Sequence, residues 1–174
     1  MPLTANAIPS QIPFYTTPYD AQLAFTSAQT IAATGYLNNL NSGQIDLGGA
    51  NPTSGAGRTT GMWVLEITAI DVVTGDESYT FNLFGSNDVA FGNGNVEILQ
   101  TQNFGGATGR GIATIPGASP TIPPTGVGGM LCQFPFTNLK ARIVYRYLRC
   151  YVVIAGTTPT ITVTSWISSS SSAE

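Results

Sequence analysis

Several stretches of the chain alternate apolar and polar residues with a period of two, which is typical of a β-strand with one buried face. The clearest are residues 63–70, 79–83 and 96–101. Thr74-Gly75-Asp76 lies between the first two and predicts a turn that joins them into a hairpin. Gly92-Asn93-Gly94-Asn95 predicts a second turn, because Gly and Asn tolerate positive φ.

The last third of the chain is rich in β-branched and aromatic residues and predicts three more strands, at 130–136, 143–154 and 160–167. Residues 21–38 predict either a short strand or a helical turn, and no segment has the pattern of an amphipathic helix. About eight short strands with evenly spaced turns predict an all-β protein, an antiparallel β-sandwich or jelly roll.

Residues 1–20 carry four prolines and predict an extended N-terminal arm, because proline fixes φ and favours extended geometry before it. We expect its apolar residues to lie on the body, on a sister subunit or on a shell. Those chosen as candidate contacts are Ile12, Phe14, Tyr15 and Tyr19.

The predicted sandwich domain spans residues 21–168 and contains a Gly- and Pro-rich loop at 105–129. A loop this long is uncommon without a function. It is interpreted either as a second contact element, since prolines reduce the entropy lost on binding, or as a mobile surface loop. Residues 169–174 predict a flexible tail.

The 143–154 strand carries apolar residues on both faces, which predicts that its outer face is covered by the arm or by a neighbouring subunit. Arg149 shares one face with tyrosines, and is interpreted either as a stacked interface residue or as a structural ion pair with Asp46 or Asp88. The candidate contact residues here are Arg142, Tyr145, Arg146, Tyr147, Arg149 and Tyr151.

Only 9% of the residues are charged and the net charge is −3, against about 25% charged residues in an average domain. Nucleic acid is therefore not expected as a partner, because binding it usually needs a clustered basic face. The chain has no apolar run of about 20 residues and begins without a secretory pattern, so we expect no membrane partner and an unexported product.

The chain contains no histidine, which removes the commonest general base and metal ligand. No catalytic residue, metal or cofactor is therefore predicted, and both cysteines are expected to be free, buried thiols. The glycines at 105–111 lack the helix and Lys of a phosphate loop. Four acids around the predicted hairpin are expected to form turns, with a paired-acid hydrolase or a calcium site as alternatives. These acids are Asp71, Asp76, Glu77 and Asp88.

Three patches in order along the chain, Ile45-Asp46-Leu47-Gly48-Gly49, residues 81–91 (FNLFGSNDVAF) and residues 146–156 (RYLRCYVVIAG), resemble the capsid cement (decoration) protein family of short-tailed bacteriophages. The resemblance implies a non-enzymatic jelly-roll homotrimer on the capsid exterior of the virion, made in the host cytoplasm, whose partner is the major capsid protein. The arm and the 105–129 segment depart from the family pattern, so the resemblance assigns no contact residues.

A second hypothesis is an adhesion or carbohydrate-binding β-sandwich module of a phage fibre or tail, in which Trp63, Trp166 or loop tyrosines stack on sugars. Both tryptophans lie inside predicted strands, however, and are predicted to belong to the core.

Overall fold

The computed structural model describes residues 19–48, 57–92, 96–105 and 130–168. This part of the chain forms eleven strands and two single 3-10 turns, Ala21–Leu23 and Asn41–Gly43. The strands are β1 (Ala24–Ile31), β2 (Gly35–Tyr36), β3 (Gln44–Asp46), β4 (Thr60–Ile70), β5 (Ser78–Ser86), β6 (Val96–Gly105), β7 (Met130–Thr137), β8 (Leu139–Lys140), β9 (Ile143–Val144), β10 (Tyr147–Ala155) and β11 (Ile161–Ser168). The undecided segment 21–38 therefore holds a helical turn and two strands, β1 and β2.

Two large antiparallel sheets and a two-stranded ribbon, β8-β9, make up the described fold. The first sheet has the order β1-β11-β4-β7, and the second has the order β2-β10-β5-β6 with β3 also paired to β10. The chain crosses repeatedly from one sheet to the other, and its strand order is that of a jelly roll. The prediction of an all-β antiparallel sandwich is confirmed.

Residues that point inward from both sheets form the main core. Trp63 from β4, Phe81 from β5 and Leu148 from β10 are completely buried there. A smaller cluster lies on the outer side of the first sheet, where Val64 and Trp166 are also buried. Both tryptophans are thus buried, as their positions inside predicted strands indicated.

The predicted hairpin between residues 63–70 and 79–83 is wrong, because β4 and β5 belong to different sheets. The connection after Ile70 crosses the sandwich, and the Tyr79 hydroxyl holds it by lying 2.7 Å from the carbonyl oxygen of Asp71 and 3.0 Å from that of Thr160. An alternating pattern fixes which face of a strand is buried but not which strand pairs with it. β5 pairs instead with β6, across the second predicted turn.

The predicted single strand 143–154 is also wrong, because the strand is interrupted between β9 and β10. The side chain of Asn87 forms hydrogen bonds with the backbone at this interruption: its Nδ2 donates to the Val144 carbonyl, and its Oδ1 accepts a hydrogen bond from the Arg146 amide. A side chain remote in sequence has replaced ladder hydrogen bonds, so the local pattern gave no sign of the break.

Cys132 and Cys150 are free thiols, as expected, but only Cys150 is fully buried, whereas Cys132 is half-buried. Burial raises the pKa of both thiols. In the described ranges neither helical turn is long and apolar enough to cross a membrane.

Three predictions concern segments outside the described residues. They are the arm before Tyr19 with its candidates Ile12, Phe14 and Tyr15, the Gly- and Pro-rich loop after Gly105, and the tail after Ser168. They stay predictions.

Candidate protein-contact surface

Side chains of β10 alternate between the core and the outer face of the second sheet. Leu148, Cys150 and Val152 point into the core and are completely buried. Tyr147, Arg149 and Tyr151, which alternate with them, are only half-buried. The pairing of β10 places Tyr36 of β2 opposite Tyr151 and Phe84 of β5 opposite Arg149. Three neighbouring strands therefore present aromatic and cationic groups on one surface.

Three rings from three strands form the centre of this surface. The ring centroids of Tyr36 and Tyr151 lie 4.9 Å apart in an edge-on arrangement. Phe84 is stacked on Tyr151 at 5.8 Å and meets Tyr36 edge-on at 6.4 Å. All three distances fall within the range in which aromatic pairs attract. With Arg149 and Phe91, these residues are called the aromatic platform below.

Arg149 is held between two rings of the platform. Its guanidinium carbon lies 4.3 Å from the centroid of Tyr36 and 5.3 Å from that of Phe91. Its Nη2 donates a long hydrogen bond of 3.4 Å to the Ser42 carbonyl, while its Nε is buried and has no hydrogen-bond partner among the described residues. A guanidinium fixed between rings has lost most of its rotamer freedom before any partner arrives.

Phe91 reaches Arg149 because Asp88 shapes the loop after β5. The Asp88 carboxylate accepts the amides of Ala90 and Gly92, and the Asp88 carbonyl accepts the amide of Phe91. Phe91 adopts a positive φ of 52°, which is unusual for an aromatic residue. The turn-forming role predicted for Asp88 thus serves to place an aromatic ring on the platform.

A bidentate ion pair borders the platform. Nε and Nη2 of Arg146 each lie 2.7 Å from an oxygen of Asp46, and the guanidinium also lies 5.0 Å from the Tyr147 ring centroid. The hydrogen bond from Arg146 holds the pKa of Asp46 below its usual value. The alternative in which Arg149 forms an ion pair with Asp46 or Asp88 is wrong, since neither carboxylate contacts it. Arg149 has no carboxylate partner among the described residues.

Three other predicted contact residues lie away from the surface around Arg149. Tyr145 is only 9% exposed and lies against the backbone of Gly85, so it does not share the face of Arg149 as predicted. Arg142 lies in the exposed turn between β8 and β9, with a φ of 68°. Tyr19 lies on the other sheet, with its ring 5.5 Å from Trp166. Of the described candidates, only Arg146, Tyr147, Arg149 and Tyr151 share one surface.

Tyr36, Phe84 and Phe91 were not among the contacts predicted from the sequence. Phe84 continues the outward positions of β5, so the alternation alone could have identified it. Tyr36 belongs to a two-residue strand and Phe91 to a loop, and neither has a periodic pattern around it.

The acids of the crossing connection hold turns, as expected. Asp71 accepts the amide of Val73, Asp76 accepts the amide and hydroxyl of Thr157, and Glu77 accepts the amide of Thr74. Hydrogen bonds from the Thr74 side chain keep the pKa of both Asp76 and Glu77 below their usual values. A carboxyl group that acts as a general acid needs a raised pKa instead. Within the described ranges, no three potential metal-ligating side chains come together.

The chain matches no known protein-family model. No curated protein is similar enough in sequence to count as a relative.

Proposed function

We propose that this protein is a structural component of a phage particle, which binds the outside of an assembled capsid as a homotrimer and stabilises it by bridging major capsid subunits. The observation that carries the proposal is the aromatic platform, an open apolar and cationic surface on the outer face of a jelly-roll sheet. The three sequence patches that resemble capsid cement proteins point to a capsid as the partner.

The composition of the platform is that of a protein interface. Tyr, Phe and Arg are enriched in interface centres, and Tyr and Arg are among the residues that most often dominate binding energy. Ile98 and Val153 remain 43% and 42% exposed on the same sheet and extend the apolar surface. Because Arg149 is already held between rings, little side-chain entropy is lost when a partner covers it.

Trimeric attachment stabilises a shell by linkage. A protein that binds the assembled shell better than free subunits shifts the equilibrium toward assembly. Three modest contacts in one trimer act at high effective concentration, provided that all three can engage together. Weak contacts through a small platform therefore suffice for tight attachment.

The test combines light scattering in solution with co-sedimentation on empty heads assembled from the major capsid protein. We expect a trimer that binds heads, and a loss of head affinity of at least tenfold in Arg149→Ala and Tyr151→Ala. Val73→Ala is the control, because Val73 is 91% exposed in the connection between the sheets. A folded wild-type monomer that does not bind heads contradicts the proposal.

One observation favours carbohydrate binding as a second candidate. Tyr36 and Tyr151 offer half-exposed rings beside the amide of Asn82 and the hydroxyl of Thr101, which are hydrogen-bonded to each other. The form of this hypothesis that used Trp63 and Trp166 is wrong, because both are buried. Binding to an array of bacterial surface glycans, lost in Tyr151→Ala but kept in Val73→Ala, would favour this candidate over the capsid.

A further inference from the structure

A groove of about 690 Å³ lies at one open side of the sandwich. There β7, the last strand of the first sheet, and β6, the last strand of the second sheet, leave their outer edges unpaired in the described part of the fold. The apolar side chains along the groove come from four strands: Met62, Leu99, Pro135, Phe136 and Leu139.

The groove is close to neutral. The charged residue in its lining is Lys140, which is paired with Glu97 at 2.6 Å and also donates to the Ile98 carbonyl. An occupant therefore gains little from carrying charge and has apolar surface to bury. The lining also disfavours a regular added strand, because Pro135 on the edge strand has no backbone N–H.

The first described residue, Tyr19, lies on the first sheet. Tyr19 packs edge-on against Trp166 on the outer face of the first sheet. The indole Nε1 of Trp166 is buried and finds no acceptor in the described part of the chain. Buried N–H groups are nearly always hydrogen-bonded to protein or to ordered water, so this one is free to donate to a partner from outside the described residues.

The path from Tyr19 to the groove is short. Trp166 pairs with Val64. Met62, two residues before Val64 in β4, borders the groove. Two residues of strand span about 7 Å and one strand spacing is about 5 Å. Eighteen extended residues reach at most about 60 Å, so residues 1–18 can cross to the groove and run along it.

We propose that residues 1–18 of the same chain dock in this groove. The segment carries no charged side chain, and its apolar residues Ile8, Ile12, Phe14 and Tyr15 match the lining. Its four prolines remove backbone donors, so contact through side chains suits it better than an added strand. Docking in the same chain is favoured over a neighbour's arm because a tethered segment has a high effective concentration. The inference does not depend on the proposed attachment to capsids.

Docking also has a structural role. Unpaired edges of long strands such as β6 and β7 are sites of unwanted pairing with other chains, and natural proteins cover or interrupt them. A docked arm covers both edges at once.

The experiment is limited chymotrypsin cleavage of the full-length protein, with the release of N-terminal fragments followed by mass spectrometry. The bonds after Phe14 and Tyr15 are the relevant sites, and the free synthetic peptide 1–18 sets the unprotected rate. We expect at least tenfold slower cleavage in the protein. Leu139→Asp should remove the protection, because it places a carboxylate in the groove. The matched control is Ile143→Asp, since Ile143 is 48% exposed on the same ribbon but outside the groove lining.

An arm variant keeps the test valid if Leu139→Asp fails to fold. Ile12→Asp changes only the arm and should raise the cleavage rate after Tyr15 to that of the peptide. Wild-type cleavage at the peptide rate overturns the proposal, as does protection that persists in folded Leu139→Asp or in Ile12→Asp. Protection that increases with protein concentration also overturns it, because the groove then holds the arm of a second copy.

Discussion

Tyr79 gives the stability of the fold a specific dependence on alkaline pH. Its ring is completely buried, and its hydroxyl lies within hydrogen-bond distance of two carbonyls, those of Asp71 and Thr160. Burial, and then the negative charges of Asp71 and Glu77, raise the pKa of Tyr79 to about 12. The informative perturbation is Tyr79→Phe, which keeps the ring and removes the titrating group.

The sign and size of the effect follow from linkage. An unfolded tyrosine has a pKa of about 10, so between about pH 10 and 12 the unfolded chain loses a proton that the folded chain keeps. The stabilisation from neutral Tyr79 is complete below pH 10 and is lost as the pH rises toward 12. Each unit of pKa shift corresponds to about 1.4 kcal/mol, so the loss is at most about 2.7 kcal/mol. At pH 7, removing the hydroxyl costs about 1 kcal/mol.

The assay is urea unfolding at closely spaced pH values from 8 to 11.5, in wild type and Tyr79→Phe. We expect the variant to be less stable at pH 8, and the difference to shrink as the pH rises above 10. Tyr151→Phe, a change at a half-exposed ring, is the control and should follow the wild-type curve. Parallel curves for wild type and Tyr79→Phe up to pH 11.5 would refute the reasoning.

Two further perturbations test contacts made by the second sheet. Gly85→Ala should lower the free energy of unfolding by about 1–3 kcal/mol by overpacking, because a Cβ there would lie 2.8 Å from the Cβ of Tyr145. Gly35→Ala is the control and should leave the free energy of unfolding unchanged, because its Cβ would meet nothing within 4 Å. Equal urea midpoints for the two variants would contradict this expectation. The lowered pKa of Asp46 implies that its pairing with Arg146 stabilises fully above about pH 4 and is lost as the pH falls through the folded-state pKa. Asp46→Asn should therefore reduce the thermal midpoint at pH 7 but not at pH 2, and 1 M NaCl should diminish the difference; an equal reduction at both pH values would contradict the assignment.

The alternation of residues was sufficient to predict the class of fold and most buried faces. Trp63 and Leu65 alternate with polar or outward residues and lie in the core, as expected. The pairing of strands was not predictable in the same way, since residues 71–77 form turns that suit a hairpin or a crossing equally well. The hydroxyl of Tyr79 bonds across the crossing and belongs to the tertiary structure, so it leaves no local pattern.

The candidate contact surface was predicted only where it follows a strand. Arg149 and Tyr151 share the outward face of β10 as expected, because a period of two is a property of the backbone. Tyr145 was misplaced because Asn87, 58 positions earlier, interrupts the strand beside it. Phe91 was missed because the turn around Asp88, and not a periodic pattern, directs its ring toward Arg149.

Apolar residues on both faces of a strand do not by themselves identify a covered face. The pattern occurs in β4 as well as in β10, but with different outcomes. On the first sheet, Val64 is completely buried and Trp166 is 6% exposed, beneath a cover that includes Tyr19 of the same chain. On the second sheet, the rings of Tyr36, Phe84 and Tyr151 stay half-exposed and Val153 is 42% exposed. The apolar side chains on the outer face of the first sheet are largely buried by the chain itself. A partner therefore gains more by burying the outer face of the second sheet, where the proposed attachment acts.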